Sequence, residues 1–162
     1  MTFAVEPPDP PNPPPRETVV MAVPARIPVE CVKTAGNDYR VPQILLLAIL
    51  KQESNAQPGA IGKNKNGTYD IGPAQMNTAS WVPYFAKHYG IKPEALAYDM
   101  CQAIRAMAYA IRTEANTKVC QGEVLWCGVG RYHAPKNANA RMRYVISVDK
   151  KLRRMISTGR FD

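Results

Sequence analysis

The chain carries seven apolar residues in a row, Ile44 to Leu50 (ILLLAIL). They are bounded by Pro42 and Gln43 on one side and by Lys51, Gln52, Glu53 and Ser54 on the other. A helix written this way has almost no polar face and has to be buried on most sides. The run falls well short of the ~18 apolar residues of a membrane span, and no other run is longer, so a membrane-spanning helix is excluded. The rest of the chain must wrap this helix. With 162 residues and 46% hydrophobic content, there is material for one packed domain.

The neighbouring segments supply the wrapping. Pro28 suits the first turn of a short helix carrying Val29, Val32 and Ala35, which Gly36 and Asn37 are expected to stop. Residues 79–89, 99–116 and 138–156 read as three further helices. Asp99 is placed to cap the second, whose stripe is Ile104, Met107, Ala108 and Ile111. The third turns Tyr144, Val145, Val148, Leu152 and Met155 inward. Between residues 55 and 77 the texture changes to Gly, Asn and Lys, and Asn66-Gly67 is a strong hairpin signal. EVLWCGVGRYHAP, residues 123–135, reads as turn-rich, with Gly128 and Gly130 permitting tight turns. The expected fold is mainly α with a small β-hairpin, an α+β domain over residues 28–162.

Residues 1–27 stand apart. Seven of the 15 prolines lie between residues 7 and 15, which predicts a polyproline II or disordered tail: a spacer, a docking ligand or a leftover linker. EPPDPPNPPP is polar and stiff, so no signal peptide is recognisable. If the protein is exported, the expectation is a mature chain with an added Met.

Lys and Arg number 21 against 13 Asp and Glu, giving a net charge of +8. That balance favours an acidic partner: nucleic acid, anionic lipid or an acidic polymer. Lys150, Lys151, Arg153 and Arg154 cluster on the last predicted helix, with Arg141 and Arg143 before them. No stacking aromatics are interleaved with these bases, so a solvated helix face is preferred to a nucleic-acid site. The four cysteines, Cys31, Cys101, Cys120 and Cys127, suit two disulfides and an oxidising compartment, and all three pairings stay open. Free buried thiols are the second reading. Zinc comes last, because there is no C-x2-C pair and His88 and His133 are not spaced as finger ligands.

Two of the 13 carboxylates stand out once tails, caps and polar helix faces are set aside; Glu114 and Asp149 fall on such faces. Glu53 sits where the buried helix emerges. A carboxyl against an apolar wall has its pKa raised and can serve as a general acid near neutral pH. The competing reading is a helix-end Glu turned to solvent. Asp70 lies 17 residues later, just past the hairpin. Two carboxylates across a cleft are the equipment of glycoside cleavage, whereas a turn Asp capping a backbone N–H is the commoner fate.

Glu53-Ser54, then Gly72-Pro73-Ala74-Gln75 with Asn77, then Arg131-Tyr132-His133 resemble the three ordered motifs of soluble lytic transglycosylases. Over residues 28–156 the chain most resembles the small specialised transglycosylases of conjugation and secretion machines. Pro73-Ala74 departs from the bulkier pair common in the family. The resemblance implies a lysozyme-like fold and cleavage of peptidoglycan glycan strands. It implies Glu53 as the single catalytic acid and then base, with Ser54 orienting it. Gln75 and Tyr132 would line sugar subsites, supported by Asn77. It also implies disulfides Cys31–Cys101 and Cys120–Cys127, and a periplasmic or exported monomer with no metal, cofactor or nucleic-acid partner.

The stretch from Asp70 to Gln75 also resembles the corresponding hairpin of c-type lysozymes. A hydrolytic muramidase using Glu53 and Asp70 is therefore the alternative, beside a non-catalytic wall-binding module, since fold does not fix function. Trp126 is expected to be a buried anchor near Cys127, Trp81 is left open between core and sugar stacking, and His133 is expected at the rim or in a structural role.

Overall fold

A computed structural model describes residues 21–121 and 125–162. The tail and signal-peptide readings on residues 1–20, and Glu123, lie outside the described residues. The described chain is mostly helical with a small antiparallel sheet, the lysozyme-like α+β arrangement that the sequence predicts.

The apolar run forms α2 (Gln43–Ser54), and Leu45, Leu46, Ala48, Ile49 and Leu50 are fully buried. It is wrapped by α1 (Val29–Tyr39), α5 (Met100–Ala115) and α7 (Ala138–Thr158). Helix α5 is the second core element, with Ile104, Met107, Ala108, Ala110 and Ile111 buried completely. Its N-cap is Asp99, whose carboxylate accepts from the Gln102 N–H at 3.1 Å. Helix α7 buries Tyr144, Val145, Val148, Leu152 and Met155, the stripe expected of it. Helices α3 (Trp81–Tyr89) and α4 (Pro93–Tyr98) link the sheet to α5. The Cys31–Cys101 disulfide ties α1 to α5, and Cys120–Cys127 closes a short loop.

Two expectations need correction, and the expected hairpin is present within a larger sheet. Helix α1 does not stop at Gly36 and Asn37 but runs to Tyr39. Arg40 takes the left-handed cap (φ 54°), and Gly36, buried inside the helix, accepts from the Val41 N–H at 3.0 Å. The predicted turn-rich segment holds a helix, α6 (Leu125–His133). Its glycines serve packing rather than turning: a Cβ on Gly128 would lie 2.7 Å from the Ile111 carbonyl and 2.8 Å from the Ala115 Cβ, so only Gly lets α6 approach α5 this closely. Trp126 on α6 is buried, as expected. The hairpin is two strands of a three-stranded sheet: β1 (Ile61–Lys63), β2 (Tyr69–Ile71) and β3 (Met76–Asn77), in that order. Asn66-Gly67 lies in the turn between β1 and β2, and β3 forms because the chain turns at residues 72–75 and recrosses β2.

Residues upstream of Pro28 also join the body. Ile27 is buried, and Ala22 exchanges backbone hydrogen bonds with the Gly159–Phe161 stretch at 2.9 Å each.

Candidate active site

Helix α2 delivers Glu53 to its open end. Asn55 and Ala56 then take positive φ (57° and 55°) and turn the chain sharply away. Their carbonyls are held by Arg26, whose Nη2 donates to Asn55 O at 2.7 Å and whose Nε lies 3.2 Å from both oxygens. The helix end is therefore capped from outside, which satisfies carbonyls that the helix leaves unpaired.

The turn after β2 faces this helix end. Gly72 adopts φ 76°, and a Cβ there would sit 2.1 Å from the Leu96 carbonyl, so the position demands glycine. Ser54 Oγ donates to Pro73 O at 2.7 Å, and the Tyr132 hydroxyl donates to Ala74 O at 2.6 Å. The turn is clamped from α2 and α6 through its carbonyls, and Pro73 and Ala74 are themselves buried. Gln75 Nε2 donates to the carbonyls of Ala60 (3.1 Å) and Gly72 (2.9 Å). In the register of β2 and β3, Asp70 opposes Asn77, and Asn77 Nδ2 donates to Asp70 Oδ1 and to Thr68 Oγ1, each at 3.0 Å.

Glu53, Asp70, Gln75, Asn77 and Tyr132 all line one cleft of about 730 Å³ between the sheet and the helical body. Ser54 is turned to the Pro73 carbonyl instead. Trp81 and Tyr84 form an aromatic wall of the cleft, their ring centroids 5.2 Å apart and nearly perpendicular. His133 lies at the cleft with its ring stacked flat on Tyr144, centroids 4.2 Å apart.

Burial pushes the Glu53 carboxyl from 4.5 up to about 7; the Tyr144 hydroxyl opposes the rise and the charge of Asp70 adds to it. Tyr144 lies close enough to favour the Glu53 anion, yet its geometry falls short of a direct hydrogen bond. Its hydroxyl is the buried side-chain polar atom without a partner among the described residues. Burial, reinforced by the charges of Glu53 and Asp70, raises the Tyr132 hydroxyl pKa far above the usual range. Burial lowers the His133 pKa, and Asp70 partly opposes that. Among the described residues, no three His, Cys, Asp or Glu side chains converge as a metal site.

Sequence reasoning missed Tyr144, buried beside Glu53, and also Glu114 and Tyr84, which line the cleft. By sequence Tyr144 belongs to an inward stripe, although one hydroxyl on an apolar stripe signals a buried polar partner. Glu114, assigned to a polar helix face, lines the cleft and pairs with Arg131 (Nε–Oε2 3.0 Å). No local signal joins these two, which meet only because α6 lies along α5.

An apolar helix ending in a desolvated carboxyl, set against a short sheet across an open cleft, defines the lysozyme-like class of glycan-acting proteins. The family described as "Transglycosylase SLT domain" matches residues 30–143. Invasion protein IagB of Salmonella typhimurium is 31% identical over 129 residues, covering 78% of this chain and 77% of that protein. Protein IpgF of Shigella flexneri is 27% identical over 134 residues, 81% of this chain and 84% of that protein. The X polypeptide of Escherichia coli is 34% identical over 105 residues, 65% of this chain and 59% of that protein. This chain belongs to the transglycosylase SLT domain family, whose role is of the lytic-transglycosylase type and directed at peptidoglycan.

Proposed function

We propose that the chain is an active lytic transglycosylase that cuts the MurNAc-β-1,4-GlcNAc bond of peptidoglycan and leaves 1,6-anhydro-MurNAc ends. The observation that carries this reading is Glu53, lifted to about 7 in an open cleft of about 730 Å³. A carboxyl with that pKa is about half protonated at neutral pH, so it can deliver a proton as acid and take one up again as base. Glu53 protonates the glycosidic oxygen as the C1–O bond breaks. The substrate's own N-acetyl group holds the positive charge developing at C1. The Glu53 carboxylate then takes the proton of the C6 hydroxyl, whose oxygen bonds to C1 and closes the anhydro ring. No water is consumed, and Glu53 ends protonated as it began.

Gln75, Asn77 and Tyr132 line the sugar-binding cleft, and Ser54 acts by holding the Pro73 carbonyl. The protein acts in the periplasm or after export, opening local gaps in the wall for a secretion or conjugation apparatus. The relative named an invasion protein supports that setting.

Asp70 favours one second reading. It shares the cleft and bears electrostatically on Glu53, the pairing of carboxylates that a hydrolytic muramidase needs. Mass spectrometry of fragments released from purified peptidoglycan decides between them. Anhydro-muramic ends, one water lighter, support the transglycosylase; reducing muramic ends make Asp70 catalytic. Loss of release in Glu53→Gln ties either activity to this cleft, and no release by the unaltered protein overturns both.

A further inference from the structure

Away from the cleft, a second groove of about 450 Å³ opens near the C-terminal end of α7. Lys51 of α2, Lys150, Lys151 and Arg154 of α7, and Arg160 beyond it converge there from three stretches of chain. The sequence showed only a basic helix; the fold makes it concave. The buried side chains of Met155 and Phe161 supply an apolar floor. Lys51 Nζ lies 4.8 Å from the Phe161 ring centroid.

Against these five cations stands one carboxylate, Asp162, which Lys51 holds at 3.3 Å. Lys150, Arg154 and Arg160 enter no ion pair among the described residues. Cations gathered around one concavity repel each other, and an entering anion relieves that repulsion. A concave, apolar-floored groove fits a chain segment better than a flat surface. The carboxylate already seated there belongs to a polypeptide.

We propose that this groove docks an acidic peptide segment of a partner protein. Its Asp and Glu carboxylates displace Asp162 and pair with Lys150, Arg154 and Arg160, while an apolar side chain rests on Met155 and Phe161. Lys151 is tied to Gln52 (Nζ–Oε1 2.8 Å), the neighbour of Glu53, and so stays out of the test variants. The proposal does not depend on the chemistry of the cleft.

The test is fluorescence anisotropy of the full chain with a labelled peptide of Glu, Asp and Leu. A Gln, Asn and Leu peptide of the same length is the control. Binding of the acidic peptide alone is expected, weakening as salt is added. Lys150→Glu with Arg154→Glu should weaken it at least about tenfold, and Arg160→Glu alone should weaken it measurably. Lys87→Glu with Lys92→Glu, an equal charge change on the exposed side of α3 and its following loop, should alter it by less than about twofold. Thermal melts of each variant establish that it is folded. Equal weakening by both pairs, or none by the groove pair, overturns the proposal. So does tighter binding of phosphatidylglycerol vesicles through the same residues, which would make the groove a membrane contact.

Discussion

Asn77 donates its side-chain amide to Asp70 across the β2–β3 pair at 3.0 Å. The same amide donates to Thr68 at 3.0 Å, so one side chain fixes the position of Asp70 at the cleft wall. The charge held there raises the Glu53 pKa from across the cleft, on top of the larger effect of burial. The two carboxylates are thus differentiated: one is desolvated at a helix end, and the other is hydrogen-bonded on a sheet.

Asp70→Asn follows from that relation. As general acid, Glu53 must be protonated, so activity declines as pH rises through about 7. Removing the Asp70 charge removes one influence that raises this pKa, and the alkaline decline should move to lower pH. Where Asp70 only supports, glycan release at pH 5 should persist within about tenfold of normal, with anhydro ends retained. A drop beyond about a hundredfold, in the range of a lost acid–base or nucleophilic group, would instead make Asp70 catalytic.

Glu53→Gln should abolish release and change the pH dependence of stability. The folded carboxyl titrates at about 7 against 4.5 for the free group. The folded state therefore holds the proton more tightly, so stability falls as pH rises from 4.5 to 7 and is level above that. This shift corresponds to a cost of roughly 3 kcal/mol for the anion at pH 8. Glutamine escapes that cost. Denaturant unfolding should show the variant gaining on the normal protein by up to about 3 kcal/mol at pH 8 and by little at pH 4. Equal differences at both pH values would contradict the raised pKa.

The two disulfides should differ in weight. Cys31–Cys101 closes a separation of 70 residues and joins α1 to the core helix α5, whereas Cys120–Cys127 spans only 7. Loop-closure entropy assigns about 4 kcal/mol to the first and about 2 kcal/mol to the second. Cys31→Ser with Cys101→Ser should lower the melting temperature more than Cys120→Ser with Cys127→Ser. The reverse ranking would place the stabilisation in the native structure around the short loop.

What the sequence revealed was governed by local rules. The α2 run, the Asp99 cap, the Asn66-Gly67 turn and the α7 stripe each depend on residues within a turn or two of one another. The misreadings share the opposite property. Gly128 and Gly130 look like breakers until α5 is present for Gly128 to pack against. Glu114 looks solvated until α6 brings Arg131 to it. Glu53 is legible because an apolar run ending in Glu is itself a statement about desolvation. The groove at Lys150 and Arg160 was not, because its cations come from separate stretches that only the fold gathers.

Tyr144→Phe isolates a buried hydroxyl beside Glu53 that sequence reasoning passed over. The ring is buried on the α7 stripe and stacks on His133. Phenylalanine keeps that packing, and the hydroxyl it deletes has no hydrogen-bond partner among the described residues. The melting temperature should therefore hold or rise slightly. The same hydroxyl favours the Glu53 anion. Its loss should raise the Glu53 pKa further and carry the alkaline decline of activity to higher pH, opposite to Asp70→Asn. The second step of the proposed reaction passes through the Glu53 carboxylate, which this hydroxyl favours without a direct hydrogen bond, so kcat should fall severalfold, less than a lost hydrogen bond to a charged group would give. KM should stay nearly constant, because the hydroxyl faces Glu53 and not the sugar-lined wall. A fall in kcat with no movement of the pH profile would assign Tyr144 to packing alone.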